Sequence, residues 1–185
     1  MAAGVSLGAS RAFSAAHPAL SAGEGCVTAR CHARLLEPAR GARAASTHQP
    51  VADGDCASCH DLGLSGGGSH FVKGAPAGDE SPAGAQPWDV ALCTGCHGEA
   101  LAAKDAPAGA TGFMDGKRNL HAHHVQAARG PRCLPCHAPH AAAQPLLLRL
   151  RIPGRGTVLI PQEFRAEQGG GWCRTGCHAP KAYRR

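Results

Sequence analysis

The ten cysteines of this 185-residue chain fall into five close pairs, and each pair ends on a histidine. Three pairs share one spacing: Cys56-Ala57-Ser58-Cys59-His60, Cys93-Thr94-Gly95-Cys96-His97 and Cys133-Leu134-Pro135-Cys136-His137. Cys173-Arg174-Thr175-Gly176-Cys177-His178 has one extra residue between its cysteines. Cys26-Val27-Thr28-Ala29-Arg30-Cys31-His32 has two extra. Histidine follows the second cysteine every time and the first cysteine never. With 12 histidines in the chain, chance gives five such steps with a probability on the order of one in a million, so the histidine belongs to the motif.

C-x-x-C-H is the attachment pattern of c-type haem. Two thioether bonds join the cysteine sulfurs to the vinyl carbons of a rigid macrocycle, and the histidine must reach the iron as an axial ligand. The Cys-His step cannot lengthen without losing that ligand. The segment between the cysteines can bulge outward and still deliver both sulfurs. A variable inner gap beside a fixed Cys-His step therefore points to five covalent haems. Their anchors are Cys26, Cys31, Cys56, Cys59, Cys93, Cys96, Cys133, Cys136, Cys173 and Cys177, and their proximal ligands are His32, His60, His97, His137 and His178. Structural zinc also uses C-x-x-C pairs, but two pairs per site or one pair with histidines. A disulfide framework would use ten cysteines and leave the histidines without a reason. For Cys26 and Cys31 alone, a disulfide across four residues stays open beside the haem reading.

Seven histidines lie outside the motifs: His17, His48, His70, His121, His123, His124 and His140. Five of them would complete bis-histidine coordination at every iron. Methionine is the usual alternative, and only Met1 and Met114 exist. Methionine ligation raises the potential, so bis-histidine ligation implies low-potential haems. His17, His48 and His124 stand eight or nine residues before a cysteine pair, a repeated position. His140 follows His137 by three residues across a stiffening proline. His121 and His70 are the remaining candidates. His123 reads as a bystander, because its neighbours fill the role.

The elements that must position these residues are sparse. The chain holds 25 Gly and 14 Pro but only four Phe, two Trp and one Tyr, a composition that favours turns over a conventional core. The expected fold is mostly irregular, with a few short α-helices and one β-hairpin, wrapped around a haem stack. The chain without haem should be largely unfolded. Segments 63–69, 74–87 and 102–112 carry no hydrophobic period and read as loops. Helices are expected over Val27–Leu36 and Cys96–Lys104. LLLRLRI and TVLI flank Pro153-Gly154-Arg155-Gly156, which predicts a hairpin serving as a flap over a haem. The expected organisation is a tail at 1–16, a three-motif region at 17–111 and a two-motif module at 112–185.

The formal charge of +6 does not by itself indicate nucleic acid. Five haems with ionised propionates would bring it to about +1 oxidised and about −4 reduced. Nor is there the basic-aromatic interleaving of single-strand binders. No run approaches a membrane span. MAAGVSLGASRAFSAAHPAL lacks a basic region ahead of an apolar stretch, so it makes a poor export signal. Export then requires either that a leader has been removed or that this is part of a longer chain.

HPALSAGEGCVTARCH, HQPVADGDCASCH, GFMDGKRNLHAHHVQAARGPRCLPCHAPHAAAQP and GGGWCRTGCHAPKAYRR together resemble the multihaem c-type cytochromes of the doubled C-x-x-C-H family, within the cytochrome c3-like group. In the recurring C-terminal module of that family, H-x-x-H-V falls on His121 and His124, and C-x-x-C-H-x-x-H on His137 and His140. The resemblance implies periplasmic or cell-surface electron transfer through closely packed bis-histidine haems, with other redox proteins as partners. Asp61-Leu62-Gly63 departs from the family's histidine after the motif, which throws that ligand onto His70 or another residue. Two rivals to an electron carrier follow. A multihaem reductase would need one open iron. A subunit of a polymeric filament or surface conduit would lend a histidine to a neighbour's haem.

Overall fold

A computed structural model describes residues 44–61, 71–75, 87–107, 109–127, 130–153 and 158–185. His17, Cys26, Cys31, His32 and His70 lie outside the described residues, as does the helix expected over Val27–Leu36.

Short elements dominate. In chain order they are β1 (Ser46–Thr47), α1 (Gln49–Ala52), β2 (His60–Asp61), β3 (Phe71–Val72), α2 (Pro87–His97), β4 (Met114–Asp115), β5 (Arg118–Asn119), α3 (Leu120–Val125), α4 (Cys133–Cys136), β6 (Ala141–Ala142), β7 (Arg151–Pro153), β8 (Leu159–Glu167), β9 (Gly170–Thr175) and β10 (His178–Arg184). Single 3-10 turns cover Cys56–Ser58, Glu99–Ala102 and Pro145–Leu147. No described helix is long and apolar enough to cross a membrane. The expected irregular fold with few short helices is what forms.

The helix expected to start at Cys96 instead ends at His97. Pro87 opens α2 with its fixed backbone angle, and Gly98, at φ 78°, stops it in a left-handed conformation. The residues after it make only a 3-10 turn.

The hairpin expected around residues 153–156 is present. β7 and β8 pair antiparallel with Ile152 opposite Ile160. It is larger than one hairpin, because β8 continues against β9 and β9 against β10 in a four-stranded sheet ordered β10-β9-β8-β7. Among the described residues, β1 also pairs with β6, β2 with β3 and β4 with β5, each as a two-stranded ladder.

The buried apolar side chains among the described residues are Ala122, Val125, Ala141, Ala142, Ile152 and Tyr183. Three of the six are alanines, so side chains alone supply little hydrophobic stabilisation. Polar clamps do much of the fastening. Gln144, buried, donates from Nε2 to the Arg149 and Gln162 carbonyls at 2.7 and 3.1 Å, and accepts from Phe164 N–H at 3.1 Å. The β1–β6 ladder joins two parts of the chain nearly a hundred residues apart, pairing Ser46 with Ala142 and Thr47 with Ala141.

Candidate functional site

The three C-x-x-C-H segments share a local conformation. Cys93 and Cys96 lie on α2, Cys133 and Cys136 bound α4, and Cys56 opens a 3-10 turn with Cys59 at its end. One helical turn puts residues three apart on the same side, which is what two sulfurs reaching one ring edge require. Asp55 caps its turn by accepting from Ser58 N–H at 3.2 Å.

The stretched segment at Cys173–His178 is built differently. Cys173 lies on β9, Gly176 and Cys177 form the turn, and His178 opens β10 opposite Thr175. The extra residue is absorbed in a hairpin. A Cβ at Gly176 would stand 2.6 Å from Ile160 Cγ2, so that turn closes down directly on β8.

The histidines meet in twos. The rings of His48 and His97 lie nearly parallel, with centroids 5.9 Å apart and planes 11° apart. His60 faces His140 at 6.0 Å and 28°. His121 faces His137 at 6.5 Å and 25°, and His124 faces His178 at 6.4 Å and 36°. Each pair joins one motif histidine to one histidine outside the motifs. All four described motifs are served, and His48, His121, His124 and His140 are each used once. His123 is left over: it stands edge-on to His124 and accepts from Arg118 Nη2 at Nδ1, 2.6 Å away. Among the described residues, no three His, Cys, Asp or Glu side chains converge around one point.

Nδ1 is engaged in His121, His124, His137 and His178. His137 and His124 donate to the Leu146 and Leu120 carbonyls at 3.0 and 2.7 Å, and His178 to the Ala179 carbonyl at 2.6 Å. His121 Nδ1 meets Thr111 Oγ1 at 2.9 Å. Engaging Nδ1 fixes the tautomer and leaves Nε2 as the ligating nitrogen, the usual support of a metal-bound histidine. The Leu146 carbonyl is aimed by an unusual backbone. Leu146 and Leu147 sit at φ 59° and 57°, a left-handed conformation that costs an ordinary residue about 1–2 kcal/mol. Such strain clusters at functional sites.

Burial pushes His121 down to about 4, and the neighbouring His137 and His124 add to the effect. Burial also lowers His137, against an opposing pull from the Leu146 carbonyl. Both rings are neutral near pH 7, the form that binds metal. Burial raises Cys136 to about 11. A side-chain hydrogen bond between Cys93 and Cys133 holds the first thiol down and the second up.

α3 carries His121 and His124 on successive turns, and Asn119 sets its start. Asn119 Oδ1 accepts from the His121 and Ala122 N–H groups at 2.9 and 3.3 Å, while Nδ2 donates to the Leu101 and Ala103 carbonyls at 3.0 and 2.9 Å. Phe113 lies against both histidines, edge-on to His121 and stacked on His124, and edge-on to buried Tyr183. Arg149, its charged form disfavoured by burial, staples the Cys133 segment by donating from Nε to the Leu134 and His137 carbonyls. Asn119, Phe113 and Arg149 are supports that the motif reading passes over. Asn119 alone carried a sequence signal, a helix-capping residue just before LHAHHV.

Separate sites adjoin one another through the backbone. His48 N–H donates to the His140 carbonyl at 3.0 Å, although His48 faces His97 and His140 faces His60. His137 and His140 stand three residues apart in two pairs, as do His121 and His124.

The residues fit a c-type haem. An imidazole nitrogen binds a metal at about 2.0–2.1 Å, so two imidazoles on opposite faces of one ion hold their centroids about 6.3 Å apart. The four pairs span 5.9 to 6.5 Å, each beside a cysteine pair that could anchor the ring.

The doubled CXXCH motif family matches residues 48–102, a segment that holds His48 and the motifs ending at His60 and His97. No curated protein and no solved structure matches the chain. The family match supports a multihaem c-type cytochrome, with haem c bound covalently and electron transfer as its role.

Proposed function

We propose that this chain is a pentahaem electron carrier in which every haem has two histidine ligands and a low potential. The observation that carries this reading is the pairing of each described motif histidine with a different outside histidine, at the spacing of two ligands across one metal. The ring pairs support a reading in which His48 serves the haem on Cys93 and Cys96, and His140 that on Cys56 and Cys59. In the same reading His121 serves the haem on Cys133 and Cys136, and His124 that on Cys173 and Cys177. The fifth haem belongs to Cys26, Cys31 and His32, with His17 or His70 opposite. His140 takes the place that the departure at Asp61-Leu62-Gly63 left open.

Haem c supplies reversible one-electron storage when bound. The chain's own residues do the rest. A haem held between two paired imidazoles would have no open position for a substrate, which favours a carrier over a reductase. Closely spaced ligands bring successive sites together, at His48 with His140, His137 with His140, and His121 with His124. Half-buried Arg149 places a positive charge beside His137, which favours its site's reduced state. The partners are other redox proteins. The proposed location, which the family resemblance implies, is the periplasm or the cell surface, with a filament or conduit of several copies as the alternative setting.

The test is carbon monoxide added to the fully reduced protein. A spectrum that stays low-spin at every haem fits the carrier. Stoichiometric binding at one haem would establish an open iron and favour the reductase.

A further inference from the structure

Asp89 is fully buried in the first turn of α2, four residues before Cys93. Its Oδ2 accepts from the Cys133 and Leu134 N–H groups at 3.1 and 3.2 Å. These are the donors at the start of α4, where the local cap residue, Arg132, makes no capping side-chain hydrogen bond. One carboxylate thus caps a haem-attachment turn from 44 residues away.

A cap alone would not need this arrangement. Serine, threonine or asparagine at position 132 would cap α4 locally. Instead a carboxyl group is buried, and among the described residues both Asp89 Oδ1 and the neighbouring Arg132 Nε have no hydrogen-bond partner. Burying such atoms is costly; burial pushes the Asp89 carboxyl up, while the Leu134 and Cys133 N–H groups, and after them Arg132, pull it down.

We propose that Asp89 is a positioning residue that locks the attachment segments Cys93–His97 and Cys133–His137 together and sets the electrostatic field at both. This rests on the haem reading above. An ionised carboxylate held at these segments would disfavour reduction of the haems they carry, since reduction adds negative charge.

The test uses the full haem-loaded chain with Asp89→Asn and Asp89→Ala. Haem occupancy is read motif by motif from peptide masses, and the haem potentials by spectroelectrochemical titration. Asp89→Asn keeps an acceptor for α4 and loses the charge. Its occupancy should stay at the wild-type level, while the two haems at these motifs become easier to reduce. The expected change is about tenfold in the reduction equilibrium, which is about 59 mV for a one-electron couple. Asp89→Ala also loses the cap, so occupancy at Cys133 and Cys136 should fall at least twofold relative to Cys173 and Cys177. Wild-type occupancy and potentials in both variants would overturn the proposal, as would equal haem loss at every motif. A wild-type chain without haem at either motif would sink the haem assignment itself, and the role of Asp89 with it.

Discussion

Removing the Asn119 side chain should weaken the fold and open two haem sites at once. Asn119 is 3% exposed and makes four hydrogen bonds. Two of them cap α3, and losing a cap costs about 1 kcal/mol. The other two satisfy the Leu101 and Ala103 carbonyls, and each lost bond costs about 1 kcal/mol. Asn119→Ala should therefore destabilise the chain by about 3 kcal/mol, a large share of the usual 5–15 kcal/mol or so of a whole domain. α3 has only six residues and cannot hold a helix unaided, so His121 and His124 lose their footing together. Urea unfolding reads the stability, and carbon monoxide binding to the reduced protein reads the ligands. The haems on Cys133/Cys136 and Cys173/Cys177 should become reactive, while those on Cys56/Cys59 and Cys93/Cys96 stay closed. Asn119→Ser keeps a capping oxygen and loses both donors, so about 2 kcal/mol is expected. A change under about 0.5 kcal/mol in Asn119→Ala, within surface-substitution range, would refute this reasoning, as would new reactivity confined to the other two haems.

Three further outcomes follow from the site. His121→Ala should make the haem on Cys133/Cys136 high-spin and His124→Ala the haem on Cys173/Cys177, while His123→Ala changes neither; magnetic spectra of the three variants check this. Gly176→Ala forces a Cβ against Ile160 Cγ2, an overpacking cost of about 1–3 kcal/mol; unfolding should show it, with part recovered when Ile160 is also cut to alanine. Cys31→Ser should remove one haem from the mass of the chain, while Cys26→Ser leaves that haem on a single thioether or loses it. Five haems intact in both variants would mean that the stretched motif never held one.

The motifs were legible in the sequence because attachment chemistry fixes the Cys-His step and tolerates a longer inner gap. The candidate distal histidines were legible too, since His48 and His124 recur at one place before a cysteine pair. Which ring faces which was not. His48 precedes the motif at Cys56 but faces His97, and His140 reaches back to His60 across eighty residues. Those matches depend on the β1–β6 ladder, which two-residue strands do not announce. The helix expected after Cys96 was misplaced because the apolar run extends past His97, while Gly98 turns the backbone left-handed there. The sheet beyond β8 went unseen for a similar reason: Cys173 to His178 reads as a haem motif, and its second identity as a hairpin turn shows only once Gly176 lies on Ile160. Asp89 left no sequence signal, because its partners are backbone groups far along the chain.

The most direct test of the central claim is the intact mass of the denatured, reduced chain, in which only covalently held groups survive. Five Cys-His steps predict a mass carrying five haems, with peptide fragments placing one on each cysteine pair. Three haems would show that both stretched motifs are inert. A mass equal to that of the bare polypeptide would contradict the account.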